Sequence, residues 1–91
     1  MIKKYQFQFS PKAEKEFIRL TKPLQKRIFE KLCFFEIQKN PLTYAKPLSG
    51  IENHFRFRVG NYRIIITPKD KDTFIILLIL KIAHRKDIYK E

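Results

Sequence analysis

An α+β fold is predicted: an N-terminal strand, a two-helix antiparallel hairpin, and a three-stranded antiparallel meander, with the helices packed on one sheet face. Three observations lead there. Residues 5–9 alternate aromatic and polar side chains, residues 11–35 carry apolar side chains at helical spacing, and residues 54–80 fall into strand-like runs separated by turn signals.

The first strand is Tyr5-Gln6-Phe7-Gln8-Phe9, half-buried by its alternation. Ser10-Pro11 then reads as an N-cap followed by proline at the first helical position, where the missing N–H costs nothing. Ala13, Phe17 and Leu20 share one face of that helix. Thr21-Lys22-Pro23 is a looser start signal for the second, whose inward face is Leu24, Ile28, Leu32 and Phe35 and which stops before Asn40-Pro41. Cys33 sits in the apolar run Leu32-Cys33-Phe34-Phe35 and is expected to be a small buried hydrophobe. A loop spans Asn40 to Asn53.

The meander begins with His54-Phe55-Arg56-Phe57-Arg58-Val59, which alternates strictly. Gly60-Asn61 is a two-residue hairpin turn, and Tyr62 to Thr67 is the return strand. Pro68 is expected to end that strand and open a polar turn through Asp72. Phe74 to Leu80 is continuously apolar, as expected of a strand buried on both faces, and Ala83 to Tyr89 follows as a tail.

Length and composition bound the function. Ninety-one residues make a single domain over 1–91, and 44% hydrophobic residues, with nine Phe and four Tyr, suffice for a core. Twenty Lys and Arg against nine Asp and Glu leave a net charge of +11, a self-repulsion best tolerated when an anionic partner is expected. The single cysteine cannot form an internal disulfide, the N-terminus shows no apolar signal region, and the longest apolar run is far short of about 20 residues. A cytoplasmic protein without membrane contact is expected.

The hairpin carries the chemistry. With Gly60-Asn61 as the turn, Val59 faces Tyr62, Arg58 faces Arg63, and Phe57 faces Ile64. Cross-strand partners share a sheet face, so Phe55, Phe57, Val59, Tyr62, Ile64 and Ile66 point to a core. His54, Arg56, Arg58 and Arg63 then point away from it, with Ile65 among them. Like charges directly opposed across a pair cost stability, and no acid occurs between Asn53 and Lys69 to offset them. A polyanion that neutralises the cluster explains it best, and guanidinium forks suit phosphate. The alternative is a solvated face whose arginines pair with distant acids.

His84, Arg85 and Tyr89 follow the last strand and can lie beside the arginines. Histidine moves protons near neutral pH, and tyrosine can serve as a base where surrounding cations favour phenolate. Two histidines, one cysteine and no carboxylate cluster near the arginines leave no evident metal site and no cofactor signature. Phosphodiester cleavage at such a site would use the 2′-hydroxyl of RNA as nucleophile, with fixed cations stabilising the charge that develops.

The segments Phe9-Ser10-Pro11-Lys12-Ala13, Pro47-Leu48-Ser49-Gly50, Phe55 to Ile65 and His84-Arg85-Lys86-Asp87-Ile88-Tyr89 resemble the RelE branch of the RelE/ParE toxin superfamily. The resemblance covers nearly the whole chain in order, and its fold is the one predicted above. It implies a toxin of a type II toxin–antitoxin pair that cleaves mRNA on the ribosome without a metal, thereby inhibiting translation. By position it implies that Arg56, Arg58 and Arg63 hold and stabilise the scissile phosphate, where RelE itself has lysines at the first two. It also implies that Tyr89 activates the 2′-hydroxyl, that Arg85 assists the leaving 5′-oxygen across a short alignment gap, and that His84 could share the acid role. Lys46, His54, Lys81 and Lys86 are the candidate substrate-binding residues. The implied partners are an acidic, RelB-like antitoxin that covers the arginines, the ribosome and mRNA. Two alternatives stay open: a non-enzymatic toxin of the ParE branch acting on DNA gyrase, and a decayed member kept as an RNA-binding module.

Overall fold

A computed structural model describes residues 3–87. In chain order the elements are β1 (Lys4–Phe9), α1 (Pro11–Ile18), α2 (Lys22–Glu36), a 3₁₀ turn (Pro41–Tyr44), β2 (Lys46–Pro47), β3 (Phe55–Val59), β4 (Tyr62–Lys71) and β5 (Phe74–His84). The strands form one five-stranded sheet in the order β1-β5-β4-β3-β2, with β1 parallel to β5 and every other pair antiparallel. Both helices cover one face of it.

The two helix-start signals differ: Thr21 holds the N-cap position of α2 without a side-chain cap bond, whereas Ser10 caps α1. The Ser10 hydroxyl accepts the Ala13 N–H at 3.1 Å, and Pro11 opens α1. The Gln25 amide donates to the carbonyls of Ile18 and Leu20, closing the end of α1 from α2 and tying the two helices together. Asn40 accepts the Leu42 N–H and so starts the 3₁₀ turn. That turn and β2 give regular structure to much of the predicted 40–53 loop.

Ala13, Ile28, Leu32 and Phe35 from the helices meet Phe57, Val59, Ile64, Ile66, Leu77, Ile79 and Ile82 from the sheet. Tyr5, Phe7, Phe9, Phe17 and Leu20 pack around this core as the alternation and helical spacing predict. Cys33 does not: it is exposed, because the inward stripe of α2 runs through Ile28, Leu32 and Phe35 and turns residue 33 outward.

Two strand expectations are corrected. Pro68 does not end β4, which continues to Lys71 in register with β5. The Pro68 carbonyl accepts a bond from the Asn53 side chain, on the side where β3 has already ended. A residue's N–H and C=O point to the same side of a strand, so the missing donor removes no ladder bond there. The last strand is also longer than Phe74–Leu80 and is not buried on both faces. It runs to His84, with Leu77, Ile79 and Ile82 in the core and Ile76 and Leu78 half-exposed on the other face.

A bulge sets that pattern. Ile66 pairs with Ile79 but Ile65 pairs with Lys81, so Leu80 is an extra residue. From there on the phase is reversed: Ile82 turns to the helices, and Lys81 and Ala83 turn to the opposite face beside Ile65 and Arg63.

Carboxylates from the helices satisfy open strand edges. Glu36 accepts the Phe7 N–H on β1 at 2.7 Å, and Glu16 accepts the Ile82 N–H at 2.8 Å where β1 no longer covers β5. Glu16→Ala should therefore lower the free energy of unfolding by about 1–3 kcal/mol, the cost of an orphaned, partly buried donor. Urea titration of the two proteins would show it as a lower midpoint at unchanged slope.

Candidate nucleic-acid interface

The sheet face away from the helices is built by the β3–β4 hairpin. Gly60 takes φ +58°, which lets the chain reverse in two residues with glycine at the first central position. The pairing that follows is the predicted one: Val59 with Tyr62, Arg58 with Arg63, Phe57 with Ile64. Lys46, Arg56, Ile65 and Lys81 consequently form one row across β2, β3, β4 and β5. Arg58, Arg63 and Ala83 form the next. Adjacent strands lie about 4.8 Å apart and alternate residues about 6.7 Å apart along a strand, so five cationic side chains share a small area.

Arg56, Ile65 and Lys81 of the first row line a groove of about 600 Å³, and Lys46 is exposed outside it. Ile65 and Leu80 are its apolar floor, and Pro47, Leu48 and Ile51 form a wall. Lys12, His54, Arg56, Lys81 and Ser49 supply its polar groups, and among the described residues that line it none is acidic. Ile65 is only 7% exposed although it lies on the arginine side, flanked in its row by the long stems of Arg56 and Lys81. His54 precedes β3 and contacts the Glu52 carbonyl through Nδ1 at 2.9 Å. A carbonyl can only accept, so Nδ1 carries the hydrogen and neutral His54 keeps Nε2 as an acceptor.

The remaining expected residues divide. Arg58 is exposed; Arg63 is half-buried, with its Nη1 3.4 Å from the Gly60 carbonyl and 3.3 Å from that of Tyr62. Arg85 is exposed just past β5, its backbone N–H donating to the Asn61 carbonyl at 2.7 Å, which ties the segment to the hairpin tip. Lys86 is exposed, and its backbone N–H donates to His84 Nδ1 at 3.2 Å. The expectation that His84 lies beside the arginines is corrected. Because β5 extends through residue 84 after the bulge, His84 pairs with Tyr62 on the helix side, the two rings edge-to-face at 5.4 Å. Tyr89 lies outside the described residues.

Sequence reasoning missed Lys12 and Ser49. Lys12 belongs to the first turn of α1, and only the parallel pairing of β1 with β5 carries that turn to the level of the bulge. Among the described residues, no three His, Cys, Asp or Glu side chains gather as metal ligands. No helix among them is long and apolar enough to cross a membrane. The arrangement can grip an anionic backbone through paired guanidinium groups, stabilise charge developing on it, and present a histidine acceptor at the same groove.

Comparison with known proteins agrees with this geometry. Residues 7–89 match the model of the family described as the ParE toxin of the type II toxin–antitoxin system parDE. Toxin RelG of Mycobacterium tuberculosis is 29% identical over 87 residues, covering 94% of this chain and 97% of that toxin. Among solved structures, the toxin–antitoxin complex RelBE2 of M. tuberculosis matches with a TM-score of 0.72 at 27% identity, covering 90% of this chain and 99% of that one. The RelB–RelE antitoxin–toxin complex of Methanococcus jannaschii matches with a TM-score of 0.60 at 31% identity, covering 89% and 93%.

Proposed function

The chain belongs to the ParE toxin family of type II toxin–antitoxin systems, within the RelE/ParE superfamily, and from that premise we propose that it is an endoribonuclease that cleaves mRNA on the ribosome. One observation carries the reading: the Arg58–Arg63 pair stands beside the Lys46–Arg56–Ile65–Lys81 row on a single sheet face. Such a face gathers cations at the spacing of a sheet, and the phosphates of an RNA backbone match it in charge.

In the proposed reaction the 2′-oxygen attacks the adjacent phosphorus and gives up its proton to a base. The bond from phosphorus to the 5′-oxygen breaks, and that oxygen takes a proton. The products are a 2′,3′-cyclic phosphate and a 5′-hydroxyl, and no metal is required. Arg56, Arg58 and Arg63 hold the phosphate and stabilise the added negative charge, while Lys46, His54, Lys81 and Lys86 hold the flanking RNA. Tyr89 is the base by its place in the family motif, and Arg85 assists the leaving oxygen. The placement of His84 on the helix side argues against its sharing the acid role. The protein is proposed to act in the cytoplasm as one domain. An acidic RelB-like antitoxin, the kind of partner named in the solved complexes, would neutralise it by covering the arginine face.

The experiment is cell-free translation of a defined mRNA with purified protein, reading cleavage positions and end chemistry. Cuts ending in a 2′,3′-cyclic phosphate are expected. Tyr89→Phe should slow cleavage by about 10²–10⁴-fold, the usual contribution of a general base, with RNA binding nearly retained. Unchanged cleavage in that variant would move the base role to His54, whose Nε2 is the acceptor at the groove. The ParE description of the matching family favours a second reading, action on DNA gyrase. Intact mRNA in the translation assay together with inhibited supercoiling would replace the first reading by that one.

A further inference from the structure

A second basic site lies outside the groove, where α2 passes the hairpin tip. Arg27 and Lys31 are one helical turn apart on α2, and with Arg58, Val59, Gly60 and Asn61 they line a shallow, open recess of about 600 Å³. Three of these six residues are cations and none is acidic. β2 covers only residues 55 and 56 of β3, so the strand edge at Arg58 is open and the recess is continuous with the arginine face through that residue. Gly60 permits the close approach: a Cβ there would stand 3.3 Å from Arg27 Nη1. Lys31 Nζ is 5.0 Å from the Phe34 ring centroid, which holds the ammonium on this flank of α2.

Like charges one helical turn apart disfavour the helix, and among the described residues lining the recess none is acidic. The arrangement therefore resembles the arginine face in its cost and in its remedy. We propose that this recess is a second phosphate subsite, gripping the RNA backbone beyond the phosphate held by Arg56, Arg58 and Arg63, with Arg58 at the border of the two. The inference rests on the RNA reading above and extends it around the hairpin edge. An acidic protein segment is a poorer occupant of the recess itself, because Val59, the apolar side chain among its described lining residues, is 5% exposed; Phe34 stands outside it beside Lys31.

The test measures binding of a 15-nucleotide single-stranded oligouridylate by fluorescence anisotropy across a salt series. The double variant Arg27→Ala, Lys31→Ala should bind roughly tenfold more weakly near 0.1 M salt, with a salt slope shallower by about 1.4, or about 0.7 per lost phosphate contact. Lys22→Ala, Lys26→Ala removes the same charge from another face of α2 and should change the slope little, and circular dichroism should show both variants folded. An unchanged slope in the first variant, or an equal change in the second, overturns the proposal. So does an equal loss of binding to a polyglutamate peptide of matched charge, which would give the recess to an acidic protein segment. Failure of the unaltered protein to bind the oligouridylate also overturns the subsite, whereas the RNA reading itself stands or falls on the translation assay above.

Discussion

Replacing Arg58 with alanine is expected to lower mRNA cleavage by about 10²–10³-fold, the usual cost of removing one donor to a charge-developing oxygen. The same change should leave the melting temperature at or above that of the unaltered protein. The second half of this expectation distinguishes a functional cation from a structural one. Arg58 is exposed and faces Arg63 directly, so its removal relieves a like-charge pair. It also takes one cation from the α2 recess. Thermal melting beside the cleavage assay reads both quantities from one preparation. A fall of several degrees would show that Arg58 stabilises the fold, and the loss of cleavage would then say nothing about phosphate.

Phe57→Ala should have the largest effect on stability, about 3–5 kcal/mol. Phe57 is fully buried directly between Arg56 and Arg58 in the chain, on the opposite face of the same strand. Its ring stacks on Phe35 at 4.5 Å and meets the edge of Phe7 at 5.6 Å, so it joins α2, β1 and β3 at one point. Truncation leaves a cavity between a helix and two non-adjacent strands, which cannot all close on it. A domain of this size has about 5–15 kcal/mol in total, so urea titration should show much of the transition lost. Phe57→Leu, which keeps most of the volume, should cost markedly less. If the two variants unfold at the same midpoint, the aromatic cluster does not hold the helices to the sheet.

Phe57 and Arg58 are neighbours with opposite fates, and that alternation is legible in the sequence. In Phe55-Arg56-Phe57-Arg58-Val59 the two-residue period separates core from charge, and Gly60-Asn61 supplies the reversal that aligns Arg58 with Arg63. Helix starts at Ser10-Pro11 and Thr21-Lys22-Pro23, and the inward stripes of both helices, were legible for the same reason. Each depends on neighbours within about one turn of helix or one hairpin.

Other features belong to the assembled molecule. The apolar run from Phe74 to Leu80 contains nothing that marks Leu80 as the residue to be left out of register. Only the fit of both Ile79 and Ile82 against the helices selects the bulge, and the bulge sends Lys81 to the groove and His84 to the helix side. The parallel pairing of β1 with β5 joins residues some seventy positions apart and brings Lys12 to the same groove. Local turn chemistry and periodicity act over a few residues and are written in them. The phase of a central strand is chosen by what packs on it, and distant segments decide that only on meeting.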